Sequence, residues 1–357
     1  MCKQKLIGAI VALSTVGLMA TTYAEITTSA DLRVREEYID QDGKDGRNRM
    51  RIRGRVKLAA EINETLSGAF RLATGGGDPV SRNQSFDGAF SSKNFGLDQA
   101  YLDWAPAGGS LSFTGGKIPN PMIIVKDLVW DGDVTPEGVN VNFSGGEGVP
   151  LEINSGYYVV EERSSADETT LWGSTITTEL AGLNLGIGYF LYDNIKGQGP
   201  VFGDDALGNS TMMVGEGDDA KDVLANDYGI FEVGASYGAD LGGMPGKIYA
   251  DYVVNNDADT DGDTGYQIGV GIGKAKAPGS WSLDLNYREL EADAVFATFA
   301  DSDNGGGGTD HEGWKLSGKY QVAKNLQAAF AYFMNSVDPD GIDADYNRLQ
   351  LDLIAKF

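Results

Sequence analysis

The chain has 357 residues, 52 acidic against 28 basic, and a formal charge of −24. Such an acidic surface excludes nucleic acid as a partner, because that binding rests on lysine and arginine neutralising phosphates. The single cysteine, Cys2, excludes a disulfide framework or a thiolate metal centre, while 50 glycines and 10% aromatic residues fit a folded, turn-rich sheet rather than a disordered acidic chain.

The first residues have the layout of a secretory signal. Lys3 and Lys5 give a positive start, residues 6–20 are apolar, and Thr22-Tyr23-Ala24 supplies small residues before a cut. Cleavage after residue 24 is expected, leaving 25–357 as one domain without cysteine. The signal holds two lysines and no acid, so its removal takes the charge from −24 to −26. Beyond it no apolar run is long enough for a transmembrane helix, so a membrane would have to be crossed by strands.

A period-two pattern then recurs to the end of the chain. In residues 48–62, Met50, Ile52, Gly54, Val56 and Leu58 alternate with Arg49, Arg51, Arg53, Arg55 and Lys57. No helix face gives that alternation; a strand with one apolar and one wet face does. Residues 183–191, 266–273, 281–288 and 326–334 repeat the code. Strands are predicted near 28–39, 48–61, 65–75, 95–105, 109–117, 137–144, 150–161, 169–180, 183–192, 227–239, 246–255, 264–276, 280–291, 312–322, 325–336 and 345–357. The connections alternate between tight turns, such as Ala181-Gly182, and longer acid-rich loops, the longest near 194–226. This is the layout of an all-β, antiparallel, up-and-down transmembrane barrel of sixteen strands, with short periplasmic turns and long outside loops. Trp104, Trp281 and Phe357 fall at the short-turn ends, and Tyr38, Tyr266 and Trp314 near the long-loop ends, as two interfacial girdles would.

Parity also orients the charges. Arg33 and Arg35, then Arg49, Arg51, Arg53, Arg55 and Lys57, then Arg71, share the wet face. Facing lipid near the midplane, each arginine would cost ~2–4 kcal/mol, so the expected orientation is inward. Structural pairing with Glu37, Glu61, Asp98 or Asp103 is the alternative to a role in transport. Lys117 is a misfit, sharing parity with Leu111 and Phe113 on the lipid side; a bulge at Gly115-Gly116 would turn it inward.

The strand count, the loop layout and the terminal Phe357, which matches the signal read by the outer-membrane assembly machinery, resemble Gram-negative porins. The segment Gly116-Lys117-Ile118-Pro119-Asn120-Pro121, followed by Asp127-Leu128-Val129-Trp130-Asp131-Gly132-Asp133-Val134-Thr135-Pro136-Glu137-Gly138, resembles the third-loop region of a poorly characterised "putative porin" family. That resemblance implies a third loop folded into the barrel, a homotrimer, and passive diffusion of small hydrophilic solutes and ions, with no cofactor. Residues 122–125 and 128–130 are too apolar to wave in water and should pack on a wall, with an extra strand or a subunit contact as the other readings. Lys126, Asp127, Asp131, Asp133 and Glu137 would then reach the passage, opposite the basic wall, and such facing charge tunes which ions pass. A solute-specific channel and an adhesive barrel are the rival functions.

Two other features invite chemistry. Residues 255–263 resemble the first half of a calcium loop, with Asp257, Asp259 and Asp261 as ligands. Ile268 stands where the bidentate glutamate belongs, so a solvated acidic loop is the competing reading. His311, flanked by Asp310 and Glu312, is the sole histidine. No serine and orienting acid accompany it in a hydrolase pattern, and it reads as a rim residue. Residues 305–308 read as a flexible glycine tip.

Overall fold

The computed structural model describes residues 25–146, 148–203 and 205–357, so the expected signal at 1–24 lies outside the described residues. Sixteen strands form one closed antiparallel barrel. In chain order they are β1 Glu25–Gln41, β2 Arg47–Asn63, β3 Leu66–Thr74, β4 Phe95–Trp104, β5 Leu111–Lys117, β6 Glu137–Gly145, β7 Leu151–Glu161 and β8 Thr169–Leu180. Then come β9 Leu183–Asp193, β10 Gly229–Asp240, β11 Pro245–Asn255, β12 Thr264–Gly273, β13 Trp281–Leu290, β14 His311–Ala323, β15 Leu326–Val337 and β16 Ala344–Lys356. Each predicted strand is present, displaced by at most a few residues at its ends.

Every strand pairs with its chain neighbours, and β1 pairs with β16 from Asp31↔Lys356 to Gln41↔Tyr346. The backbone of Phe357 completes that seam by exchanging two hydrogen bonds with Ala30, at 2.6 and 2.9 Å. Closure leaves no edge with unpaired amides, the condition for placing a sheet in hydrocarbon. The outer face carries the apolar parity: Ile248 and Ile268 are each 59% exposed, beside Val141 and Ile187. The six aromatic residues expected at the two girdles are all exposed.

Connection length follows local chemistry. At the tight β8–β9 turn, Ala181 and Gly182 both take positive φ, 50° and 85°, the geometry that a two-residue hairpin loop needs. The opposite connections are less uniform than their acidity implied. Those at 42–46 and 338–343 are short, whereas 75–94, 118–136, 194–228 and 291–310 are long. Numbered in chain order among the eight connections on this side, the third (118–136), fifth (194–228) and seventh (291–310) loops supply much of a hydrophobic core lying inside the barrel.

Candidate functional site: the barrel lumen

The apolar part of the lumen begins in the wall. Gly173 on β8, Gly186 on β9 and Gly234 on β10 point inward, where a longer side chain would stand. Met122 packs at Gly173, and Ile124 lies over both Gly186 and Gly234. A Cβ built on Gly234 would come within 2.7 Å of Ile124 Cγ2 and 2.8 Å of Val125 Cγ2. The apolar third loop therefore docks on a glycine groove, with no strand in residues 118–136.

Above that groove the loop carries Trp130, which meets Phe190 of β9 edge-on at 5.2 Å and stacks on Phe299 of the seventh loop at 5.9 Å. Phe296 joins Tyr192 and Tyr228. The fifth loop locks this cluster: Asn209 Nδ2 donates to the carbonyls of Ala292 and Val295, and Asn209 Oδ1 accepts from the Ala297 amide. The structure thus corrects the reading of 305–308 as a free tip. The Gly305 amide donates to Asn335 Oδ1 at 3.1 Å, Gly305 packs on His311, and His311 is buried rather than at a wet rim.

The charged part lies on β16, β1, β2 and β3. Arg33, Arg35, Arg49, Arg51, Arg53, Arg55, Lys57 and Arg71 share the inward parity, and a set of acids answers many of them. Asp352 accepts from Arg35 Nε at 2.7 Å and Nη2 at 2.9 Å. Glu37 pairs with Arg49 and Arg348, and Asp31 with Arg53 (3.2 Å) and Arg55 (2.8 Å). Lys57 donates to the Tyr101 hydroxyl. Register in β3–β4 skips Asp98, a bulge that turns its carboxylate between Arg71 (2.5 Å) and Arg82 (2.6 Å).

The five residues expected on the third loop divide. Asp133 reaches the basic wall, 3.4 Å from Arg55 and 3.9 Å from Arg53. Asp127 instead bonds Lys126 (2.8 Å) and Lys315 of β14 (3.2 Å); burial would raise its pKa, but these ammonium groups hold it well below the usual carboxylate range. Lys126 stays open to the lumen, its side chain 64% exposed. Asp131 faces the seventh loop, accepting from the amides of Asp133 and Ser302, and its own amide donates to Phe299 O. Burial, then Asp301, Asp133 and Asp127, push its pKa well up. Glu137 lies apart: it opens β6 in register with Lys117, on the row of Leu111 and Phe113, and the two pair at 2.7 Å. Lys117 therefore finds a cross-strand carboxylate on that row.

Sequence reasoning missed Asp303 and Asp301 of the seventh loop. Asp303 pairs with Arg348 at 2.8 Å and Arg35 at 3.5 Å, which hold it far below its ordinary value against the opposing effect of burial. Asp301 lies 3.8 Å from Lys315 and 3.9 Å from Arg288. Asp31, Asp352 and Arg348 were readable by parity; their partners depended on cross-strand register, within the β1–β2 hairpin for Asp31 and across the seam for Asp352 and Arg348. Asp257, Asp259 and Asp261 are not brought together, Asp259 pairing instead with Lys196 at 2.5 Å. Among the described residues no group of three or more acidic, histidine or cysteine side chains is placed to hold a metal.

A closed sixteen-stranded barrel with an apolar exterior, interfacial aromatic girdles and loops folded into a charged lumen is the architecture of a porin-class channel. The chain belongs to the family described as "Putative porin", whose model matches residues 21–200 and 224–357. No curated protein matches it. Among solved structures it is similar to OprB of Pseudomonas putida at high pH, with 13% identity, a TM-score of 0.61 and coverage of 93% of this chain and 94% of that one. It is also similar to a triple mutant of the Rhodopseudomonas blastica porin, with 12% identity, TM-score 0.53 and coverage of 93% and 100%. A loop-deletion mutant of the Vibrio cholerae outer membrane protein OmpT matches with 12% identity, TM-score 0.52 and coverage of 93% and 99%. At these identities the likeness is one of fold. Family and fold make the protein an outer-membrane β-barrel channel for solute diffusion, a class that performs no chemical step.

Proposed function

We propose that the chain, exported by a signal at 1–24 and assembled in a Gram-negative outer membrane through its Phe357 end, is a homotrimeric channel surrounded by membrane lipid. It passes small hydrophilic solutes and ions by passive diffusion, with selectivity set by charge. The observation that carries this reading is the division of the lumen. The apolar cluster of Trp130, Phe190 and Phe296 is at most 2% exposed, whereas Arg49 and Arg55 keep 20% and 21% of their side chains exposed. Water therefore has its route along the basic wall, with Asp133 of the third loop and Asp303 of the seventh reaching it. Facing charges so placed act on any ion in transit.

The test is the reversal potential of purified protein in a planar bilayer under a salt gradient. Replacing Arg51 and Arg53 with serine removes two positive charges from the route and should move the potential toward cation preference. An unchanged potential in the double variant overturns charge selectivity by this wall. The loop-filled lumen favours a solute-specific channel as the second reading, and its mark would be conductance that saturates with its solute.

A further inference from the structure

The basic wall holds more arginine donors than the structure provides acceptors, and the surplus is local. Register sets Arg33 directly opposite Arg53 and Arg35 opposite Arg51 on β1 and β2. Like charges so placed repel and need anionic groups between them. Arg35 has Asp352 and Asp303, and Arg55 has Asp31 and Asp133. Arg33, Arg51 and Arg53 fare worse. Arg33 has one carboxylate, Asp352, at 3.8 Å, and Arg53 shares both of its carboxylates, Asp31 and Asp133, with Arg55. Arg51 makes no ion pair among the described residues; its one side-chain contact is Nη2 to Ser81 Oγ at 3.5 Å. The Nε groups of all three are buried without an acceptor.

The second loop (75–94) closes over this strip. Gln84 and Ser85 pair with Ile52 and Arg51 of β2, placing Ser81 and Asn83 against the arginines. Asn83 Oδ1 accepts from Arg33 Nη2 at 2.6 Å, and Asn83 Nδ2 donates to Ser81 Oγ at 3.1 Å. Ser81 Oγ thus accepts from both Asn83 and Arg51, and its own proton is left to donate. A buried N–H without an acceptor destabilises the fold, so three in one strip with a spare hydroxyl proton call for a shared acceptor. Arginine N–H groups in a fixed fork match paired oxygens better than a spherical ion.

We propose that Arg33, Arg51, Arg53 and Ser81 form a binding site for a small oxyanion, a carboxylate or a phosphate, on the route through the lumen. The inference rests on the channel reading for its location, and its chemistry is tested separately. Calorimetric titration of the detergent-purified barrel with sodium succinate, sodium phosphate and sodium chloride at constant ionic strength measures binding without requiring an open pore. Saturable binding of succinate or phosphate, with chloride at least tenfold weaker, is expected, and the stronger of the two identifies the source of the anion. The Arg33→Gln, Arg51→Gln pair should lose tenfold or more in affinity, and Ser81→Ala, a lesser change to the fold, several-fold. Lys276→Gln removes one positive charge in the β12–β13 turn and should leave affinity unchanged.

Equal affinity for all three salts, no binding, or the same loss in the Lys276 variant overturns the site. Bilayer recordings keep the two failures apart. Ohmic current with no oxyanion binding leaves the channel standing and removes the site, whereas oxyanion binding without current removes the channel and leaves the site.

Discussion

The two sides of the lumen use the same strand code with different inward residues. On β8 to β10 those residues include Gly173, Gly186, Gly234 and Phe190, and loops settle there by burying Met122, Ile124 and Trp130. On β16, β1 and β2 they are arginines and carboxylates, and loops reach them through polar side chains, Asp133, Asp303, Ser81 and Asn83. Burial holds a loop without regard to charge or salt. Ion pairs at a wet wall hold it weakly and leave donors for a passing solute. In the channel proposed here, the contrast teaches that plug and passage are separated by wall composition, not by strand geometry.

The largest effect is expected from breaking the apolar side. Trp130→Ala removes the ring shared by the third and seventh loops and should cost about 3–5 kcal/mol of packing. Thermal unfolding should shift down, and single-channel conductance should rise as the loops leave the lumen; unchanged conductance would show that these loops do not narrow it. Gly234→Val is a smaller disturbance, driving a side chain into Ile124 and Val125 at about 1–3 kcal/mol. Noisy, flickering current is its expected sign, and a quiet recording with wild-type conductance would show that the groove tolerates a side chain.

The smallest effect is on pH dependence, where the two sides pull in opposite directions. Asp127 and Asp303 have depressed pKa values, so their contribution is complete above the ordinary carboxylate value and is lost only in strong acid. Asp131 is raised from its ordinary 3.8, so its contribution is complete below that value and declines as pH rises through the folded value. Loop docking should therefore be firmest in mild acid and loosen toward alkaline pH, seen as rising current noise. Asp131→Asn should flatten that slope, and a slope that survives the substitution assigns it to another group.

Much of the barrel was legible because a period of two leaves no other regular structure for residues 48–62, and the same alternation marks all the strands. The third loop was legible from residues 122–125 and 128–130, whose hydropathy is wrong for water. Residues 294–300 of the seventh loop carry the same signal, Ala294-Val295-Phe296-Ala297-Thr298-Phe299-Ala300, yet the glycines that follow at 305–308 read as a flexible tip. Asp98 was hidden for another reason: a bulge breaks parity without changing composition. Glu137 was counted with the loop's acids although the predicted strand 137–144 begins at it; its pairing with Lys117 rests on cross-strand register, which period alone does not carry. The pairing of Asp352 with Arg35 depends on closure between residues more than three hundred positions apart, and period alone carries no register across that distance.

Labelling at introduced cysteines tests most directly whether solutes travel along the charged side. Cys2 is the only cysteine in the chain and lies in the expected signal, so single variants start from a clean background. In a bilayer, a water-soluble anionic thiol reagent should change the current of Lys57→Cys within minutes and leave that of Leu171→Cys, on the apolar side, untouched. The reverse pattern, or equal reaction at both, would contradict the division of the lumen.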